Sequence, residues 1–517
     1  MSKYDLSKQD LTKLESQRIL LPLLHSDSKC IFLTASDLNV AALAPHTDRA
    51  MSKFIGRSSE LQVLETAFAS GRSEFIPVYG RRRVGKSELI LKFMKGKPGV
   101  YYLGGQSPSG LQVREFLVEA ARALNMPLLA ELGISDWRKA LTTVVDQWML
   151  TQPNSKLVLA LDEFQWIAGS EPGLVADLQH LWDRHWKTGG SVLLMLCGSY
   201  IGFMEREVLG QSSPLFGRRT AQIHLHPFGY LEAAEFHSNW SLIDRARAYF
   251  LVGGLPQYLL CLNDRLSVES NIRQNLLDEY APLFHEPTFL LREELREIAP
   301  YRAILFAIAS GRSTVKAIAE ATSLPDRNLH YYLQQLADLG YLRRRYPLDG
   351  QRANPKQLRF GIRDPLLRFW FRFVFPNASI IRSAGPSRAF TERIAPSLDA
   401  WFGNGFEHLC REALPLIYAH EGVAAGFEIG EYWSAKTQID TIGLRDDHWT
   451  DLGECKWGTV RSPGALEAEL DRKMEWFPNN RGATLGRRYF VRRRPAGRKE
   501  AANWYGLDDL YSLKVDG

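Results

Sequence analysis

From Gly80 to Ser87 the chain reads Gly-Arg-Arg-Arg-Val-Gly-Lys-Ser, a glycine-framed turn closed by a lysine and a hydroxyl residue. An apolar run, Phe75-Ile-Pro-Val-Tyr79, precedes it, and a helix-like segment, Glu88-Leu-Ile-Leu-Lys-Phe93, follows. Strand, glycine turn and helix in that order make a cradle for phosphate, because successive backbone N–H groups and the positive end of the helix aim into one concavity. Gly80 and Gly85 allow the tight turn. Lys86 would reach the β- and γ-phosphates of a nucleotide, and the Ser87 hydroxyl would hold Mg²⁺. Val84 and Glu88, inside and just after the loop, complete the nucleotide-binding set. The bland alternative is a basic, glycine-rich turn at a strand end. Arg81 to Arg83 are expected to be solvated or to face a partner, since backbone amides do most of the cradling.

A second acidic element lies downstream. Lys156-Leu-Val-Leu-Ala-Leu-Asp-Glu163 is an apolar run ending in two carboxylates, as suits a strand buried on both faces of a parallel sheet. Its C-terminal end falls where open α/β sheets bind ligands. Asp162 would orient Mg²⁺ through its water shell, and Glu163 would polarise the attacking water. Taken alone, such a run is often only a strand end. A third apolar run, Ser191 to Cys197, leads into Gly198-Ser199, where the Ser199 hydroxyl could sense the γ-phosphate.

The last part of the chain carries a separate constellation. Gln438-Ile-Asp-Thr-Ile-Gly443 and Asp451-Leu-Gly-Glu-Cys-Lys-Trp457 flank the polar stretch Asp446-Asp-His448. A symmetric hairpin about position 447 sets Asp440 opposite Glu454. Side chains alternate along a strand, so Glu454 and Lys456 share a face and Cys455 points to the other. Clustered carboxylates repel unless a hard cation such as Mg²⁺ joins them, and that cation could activate water. Asp440 and Glu454 are the candidate ligands, and Lys456 could orient the water.

Several segments together resemble a known family. Phe54-Ile-Gly-Arg57, the Gly80–Ser87 loop, Leu161-Asp-Glu-Phe-Gln165, Cys197-Gly-Ser199, Pro214-Leu-Phe-Gly-Arg218 and Leu251-Val-Gly-Gly-Leu-Pro-Gln-Tyr-Leu259 look like the archaeal-type ATPases, on the STAND/AAA+ side of the P-loop NTPases. The resemblance implies that Gly56-Arg57 lies near the adenine end and that Ser199 is a first sensor. It also implies an arginine finger at Arg218 or Arg219, reaching a neighbouring subunit of a homo-oligomer; a surface salt bridge is the equal alternative. No arginine closely follows Gly253-Gly-Leu-Pro256, so the second-sensor arginine of AAA+ proteins has no counterpart there. The family commonly carries a C-terminal domain with the PD-(D/E)xK nuclease pattern, which the hairpin resembles. By that match Glu407 is a helix carboxylate, Asp440 the central metal ligand, and Glu454 with Lys456 the paired E-x-K. Lys473 is expected either to help bind phosphate or to be solvated.

These motifs need scaffolds. The fold expected is α/β: a P-loop, ASCE/AAA+-like ATPase core over residues 51–229, a helical lid over 230–295, a winged helix over 296–376, a linker over 377–389 and a restriction-endonuclease-like α/β domain over 390–517. Residues 1–50 are unassigned. In the winged helix, Val315 to Ala321 and Arg327 to Leu339 read as helices with Asp326 as a cap. The stripe Leu329, Tyr332, Leu333, Leu336 and Leu339 turns inward. Arg327, Asn328, His330, Tyr331 and Gln334 are left for a DNA groove, with Arg343 to Arg345 on phosphates. A packing arm on the nucleotide domain is the alternative. Asp364-Pro-Leu-Leu-Arg-Phe-Trp-Phe-Arg-Phe373 is too aromatic for exposure and reads as a helix tying this unit to its neighbours.

With 517 residues, 45% of them apolar and 24% charged, the composition is that of a globular chain of about three domains. The net charge of +6 is uneven: ten basic residues face one acid between Arg472 and Lys499, a surface for a polyanion or simply a solvated face. Five scattered cysteines without a C-x-x-C pair argue against a zinc ribbon or disulfide framework. No apolar run approaches a membrane span, so a cytoplasmic location is expected. Together these point to an ATP-binding, ATP-hydrolysing protein that uses Mg²⁺ and acts on DNA as a regulated nuclease. The alternative is an oligomerising nucleotide switch whose nuclease-like domain only binds DNA or a protein, in defence or mobile-element biology.

Overall fold

The computed structural model describes residues 54–295 and 297–514; the unassigned stretch 1–50 lies outside them. The first sheet has five strands, β1 (Glu74–Tyr79), β2 (Gly99–Leu103), β3 (Leu157–Asp162), β4 (Val192–Gly198) and β5 (Ile223–His224). Their order is β2-β3-β4-β1-β5, and every neighbouring pair is parallel. Every residue of β1, β3 and β4 is buried, which follows from helices covering both faces of the sheet. This is the α/β parallel-sheet architecture of a P-loop ATPase, and it places the ends of β1 and β3 side by side around β4.

Residues 230–295 are helical. Helices Leu242–Val252, Pro256–Leu260 and Pro282–Glu294 carry most of this layer, the last two opening on a proline whose missing N–H costs nothing at that position. Helices Ile298–Ala309, Val315–Thr322 and Asp326–Asp338 follow, and then an antiparallel hairpin of β6 (Leu342–Arg345) and β7 (Arg359–Ile362). On Asp326–Asp338, Leu329, Leu333 and Leu336 are buried, whereas Arg327, Asn328, His330, Tyr331 and Gln334 are exposed. Asp326 is not the cap expected of it. Pro325 occupies the cap position, and Asp326, as the first helical residue, favours the helix through its charge instead.

The helix Pro365–Phe369 and its continuation Trp370–Val374 pack as the aromatic composition requires. Asp364 caps it by accepting from Leu367 N at 3.0 Å, and Trp370 Nε1 donates to Phe284 O at 2.7 Å. The linker expected over 377–389 is not irregular. Ala378–Ala389 is helical, broken only at Gly385 (φ 82°, ψ 162°), after which Pro386 restarts it. Small and proline-bearing composition was misleading here because Ile381 and Ala389 are buried against neighbours and Pro suits the first turn of the restarted segment.

The long helix Ala395–His420 leads into a second sheet. Its strands are β8 (Phe427–Trp433), β9 (Gln438–Arg445), β10 (Trp449–Lys456), β11 (Thr484–Val491) and β12 (Trp504–Tyr505), in the order β12-β11-β10-β9-β8. The pairs β8–β9 and β9–β10 are antiparallel; β10–β11 and β11–β12 are parallel, with helix Pro463–Glu475 making the crossover. Asp446-Asp447-His448 forms the β9–β10 turn, with His448 at φ 61°. Thr441 faces Gly453 in the register, so one step further along the ladder Asp440 lies opposite Glu454.

Candidate functional sites

The phosphate loop joins β1 to helix Lys86–Met94. Gly80 has φ 153°, and a Cβ there would meet Leu225 O at 2.3 Å, so backbone crowding from the strand beside it as well as the turn demands glycine. Gly85, at φ 91°, is the cap of the helix and lets its first N–H groups face the loop. Lys86 Nζ donates to Gly80 O at 3.0 Å and Arg81 O at 3.1 Å, across the mouth of the cradle. Val84 is fully buried beneath it, and Glu88 sits in the first turn of the helix.

Ser87 Oγ donates to Asp162 Oδ2 at 2.6 Å. Two hard oxygens at that separation, one at the loop and one at the end of β3, are a donor set that suits Mg²⁺. Asp162 is itself fixed: its Oδ1 accepts from Glu163 N at 2.8 Å, and Tyr101 from β2 donates to its Oδ2 at 2.6 Å. Burial and the Asp162 carboxylate push the Tyr101 phenol well up, which keeps it a donor. Glu163 stands in the left-handed region at φ 50°, a strain of about 1 kcal/mol that non-glycine residues take on mainly at working positions. Its Oε2 accepts from Ser199 Oγ at 2.7 Å and from Gln165 Nε2. Ser199, at the end of β4, therefore holds the carboxylate that would face the attacking water. Arg57 Nη2 donates to Val84 O at 3.2 Å and His226 O at 2.7 Å, and its guanidinium lies 4.1 Å over the Phe228 ring.

The three loop arginines, expected to be solvated or to face a partner, are each ion-paired within the chain, Arg81 and Arg82 partly buried and Arg83 exposed. Arg81 pairs with Asp364 at 2.9 Å, Arg82 with Glu293 at 2.7 Å, and Arg83 with Glu286 at 3.0 Å. Acids supplied by helix Pro282–Glu294 and by the cap of Pro365–Phe369 face the loop, a consequence of long-range packing that local sequence does not announce. Arg218 binds Asp183 through both oxygens, at 3.0 and 2.7 Å, and Arg219 Nη1 lies 3.4 Å from Leu209 O.

In the second sheet, Asp440, Glu454, Lys456 and Glu407 come together. Glu454 is 1% exposed. Lys473 Nζ donates to its two oxygens at 2.8 and 2.7 Å, and Lys456 Nζ lies 2.9 Å from its Oε1. Lys473 is thus neither solvated nor free for phosphate. Asp440 Oδ2 accepts from Cys455 N at 3.1 Å. Burial, and then the Glu454 charge, hold the Asp440 carboxyl above the ordinary range. Burial, and then Asp440, do the same to Glu407, which reaches the cluster from the long helix. Among the described residues no three carboxylate, histidine or cysteine side chains stand close enough to hold a metal together. Asp440 and Glu454 are hard donors whose mutual repulsion a cation would relieve, and they fit one as a two-ligand set with Lys456 and Lys473 as competitors.

The basic C-terminal stretch is largely paired within the chain: Arg488 with Glu421 and Asp451, Arg487 with Asp471, Arg494 with Asp509 and Arg498 with Glu467. It offers far less free charge to a polyanion than its composition suggested. Arg343 and Arg345 also turn inward, to His408 and Glu431, rather than outward. Sequence reasoning missed Tyr101, Gln165 and Asp364 as parts of the nucleotide site. Only the β2–β3 adjacency could have exposed Tyr101, while Gln165 stands two residues from Glu163 in sequence.

Comparison with known proteins places an ATPase domain over the part of the chain that holds the first site. A family described as an ATPase domain predominantly from Archaea matches residues 54–262, and one of archaeal and bacterial proteins of unknown function matches 370–467. An uncharacterized protein of Methanocaldococcus jannaschii is 28% identical over 411 residues, 79% of this chain and 88% of that protein. An uncharacterized ATP-binding protein of the same organism is 46% identical over 44 residues, 8% of this chain and 75% of that one. Among solved structures, the Walker-type ATPase of Pyrococcus abyssi shares 18% identity at a TM-score of 0.47, covering 64% of this chain and 99% of its own. Residues 54–262 are an ATPase domain of archaeal type.

Proposed function

We propose that this protein hydrolyses ATP at the phosphate loop and uses the nucleotide state to control a metal-dependent nuclease-like module acting on DNA. In the first site Lys86 binds the terminal phosphates, Ser87 and Asp162 would hold Mg²⁺, and Glu163 orients water while Ser199 holds Glu163. The Mg²⁺ ion, when bound, would neutralise charge developing on the transferred phosphoryl group. The helices 298–338 and the β6–β7 hairpin form a winged helix in this reading. It presents Arg327, Asn328, His330, Tyr331 and Gln334 to a groove.

The observation that carries the nuclease reading is the convergence of Asp440, Glu454 and Lys456 from one hairpin, with Glu407 from the helix packed beneath it. There Asp440 and Glu454 would hold the cation, which would supply a water of lowered pKa, and Lys456 would steady the attacking or leaving oxygen. Incubation of the purified chain with plasmid or single-stranded DNA, Mg²⁺ and ATP should give nicks that vanish in Asp440→Ala. Equal cleavage by that variant would refute the assignment. One observation favours a second reading: two ammonium groups already neutralise Glu454. On that reading the module binds DNA or a protein without cutting, and the chain is a nucleotide switch; DNA retention without cleavage across metals and substrates distinguishes it.

Arg218 belongs to both readings as an arginine finger for a second copy, once released from Asp183. No helix among the described residues is long and apolar enough to cross a membrane. The scatter of five cysteines along the sequence without a C-x-x-C pair supports a cytoplasmic setting.

A further inference from the structure

A cavity of about 910 Å³ opens between the Leu251–Pro256 turn, the β6–β7 hairpin and the long helix Ala395–His420. Of its five carboxylates, Asp364 is engaged by Arg81, Glu431 by Arg345 and Arg411, Glu412 by the Tyr249 hydroxyl and Tyr230 N, and Asp338 by Gln334 Nε2, while Glu205 is exposed. Among the described residues, four arginines on its wall, Arg343, Arg344, Arg363 and Arg368, have no carboxylate within 4.0 Å. Arg344 donates to Gln334 instead.

Arg343 and Arg368 are the unusual pair. The Nε of each is shut off from solvent and has no hydrogen-bond partner, which costs free energy unless something accepts from it. Arg343 Nη2 lies 2.5 Å from His408 Nε2 and 3.1 Å from Nδ1, and Arg411 Nη2 lies 2.6 Å from Nδ1. Burial, followed by Arg343 and Arg411, holds His408 well below its ordinary range and therefore neutral. A neutral imidazole offers one acceptor nitrogen, so of the two guanidiniums facing its two nitrogens only one can be satisfied there. Burial and neighbouring guanidiniums likewise disfavour the charge on Arg343 and, for burial first, on Arg368. Seven arginines line the cavity against five carboxylates, and a surplus of buried like charge is a standing cost.

Guanidinium forks match phosphate oxygens in pairs, and the cavity has the volume of a small-molecule site rather than of a duplex groove. We propose that it binds a small ligand carrying at least two phosphate groups, gripped by Arg343, Arg363 and Arg368, at a site that shares Arg81 with the phosphate loop but lies outside its Lys86 cradle. The ligand bridges β6, the helix Pro365–Phe369 and the long helix. Its arrival is therefore felt at Glu407, the residue before His408, and at Asp364, the partner of Arg81. The inference does not depend on whether the Asp440 cluster cuts DNA.

Tripolyphosphate titrated calorimetrically into full-length Lys86→Ala protein, whose phosphate loop is disabled, should bind at one site. Arg343→Gln/Arg368→Gln should weaken that binding at least about tenfold. The exposed Arg363→Gln, which leaves the buried pair intact, should weaken it measurably and decides the matter if the double variant does not fold. No binding to Lys86→Ala protein, or binding indifferent to these arginines, overturns the proposal. Parallel titrations with ATP and with a short single-stranded oligonucleotide identify the phosphate source. Arginine-dependent binding of the oligonucleotide but not of tripolyphosphate would assign the cavity to a polynucleotide backbone, against a small ligand.

Discussion

Arg81, in the phosphate loop, and Asp364, 283 residues later, form a 2.9 Å ion pair in which the carboxylate side chain is 1% exposed. The same Asp364 caps the helix Pro365–Phe369. Removing one member of a buried pair strands the other charge. Asp364→Ala should therefore lower stability by about 3–5 kcal/mol, read from urea unfolding. Arg81→Met should be nearly as damaging, and the double variant much less than the sum of the two. Additive losses would show that the pair does not act as a unit.

At the nucleotide site, Lys86→Ala should abolish ATP binding, whereas Glu163→Gln should keep binding and slow turnover by orders of magnitude. Ser199→Ala frees the Glu163 carboxylate from its 2.7 Å donor. Misplacing a water-orienting group should cut kcat about tenfold to a hundredfold with little change in KM. A change confined to KM would assign Ser199 to substrate binding instead.

Lys473 competes with any cation for Glu454. Lys473→Ala should raise Mg²⁺ affinity at the second site several-fold, measured calorimetrically in the Lys86→Ala background, and should lower the melting temperature in EDTA because a buried carboxylate loses a partner. Unchanged affinity would mean that Glu454 is not a ligand.

Burial, joined by the Asp440 charge at Glu407 and by the Glu454 charge at Asp440, holds both carboxyls above the ordinary carboxylate range. The folded chain then keeps protons that the unfolded chain releases. The stability this contributes is present below about pH 4 and is lost as pH rises through neutrality. Melting curves in EDTA should show the decline, and Glu407→Gln/Asp440→Asn should flatten it. An equally steep decline in that variant would place the titrating groups elsewhere.

Arg218 and Asp183 are joined within one chain. If the guanidinium also serves a second copy, Arg218→Ala should reduce ATP hydrolysis, and mixing it with Glu163→Gln protein should restore activity. Absence of complementation leaves Arg218 a surface bridge.

Motifs whose chemistry depends on neighbours in sequence were legible. The phosphate loop, the Asp162–Glu163 strand end and the hairpin register that faces Asp440 with Glu454 all follow from spacing and period. The exposed row on Asp326–Asp338 followed from helical period alone. What required the fold was the destination of charges: Arg81, Arg82 and Arg83 look free in sequence and are paired by acids two hundred or more residues away. Lys473 and the inward-facing Arg343 and Arg345 were hidden for the same reason. At Gly385-Pro386 composition suggested a linker, and tertiary burial of Ile381 overrode it.

The strand order β2-β3-β4-β1-β5 puts the strand leading into the phosphate loop between two strands that follow it by more than a hundred residues. A nascent chain leaving the ribosome must therefore carry β1 with both edges unclaimed until β4 has emerged, and with one edge open until residue 224 follows, and Gly80 meets Leu225 only then. Synthesis stalled or truncated before that point should yield a sticky fragment unable to hold nucleotide, so assembly of the ATP site can only be a late event in the biogenesis of this domain.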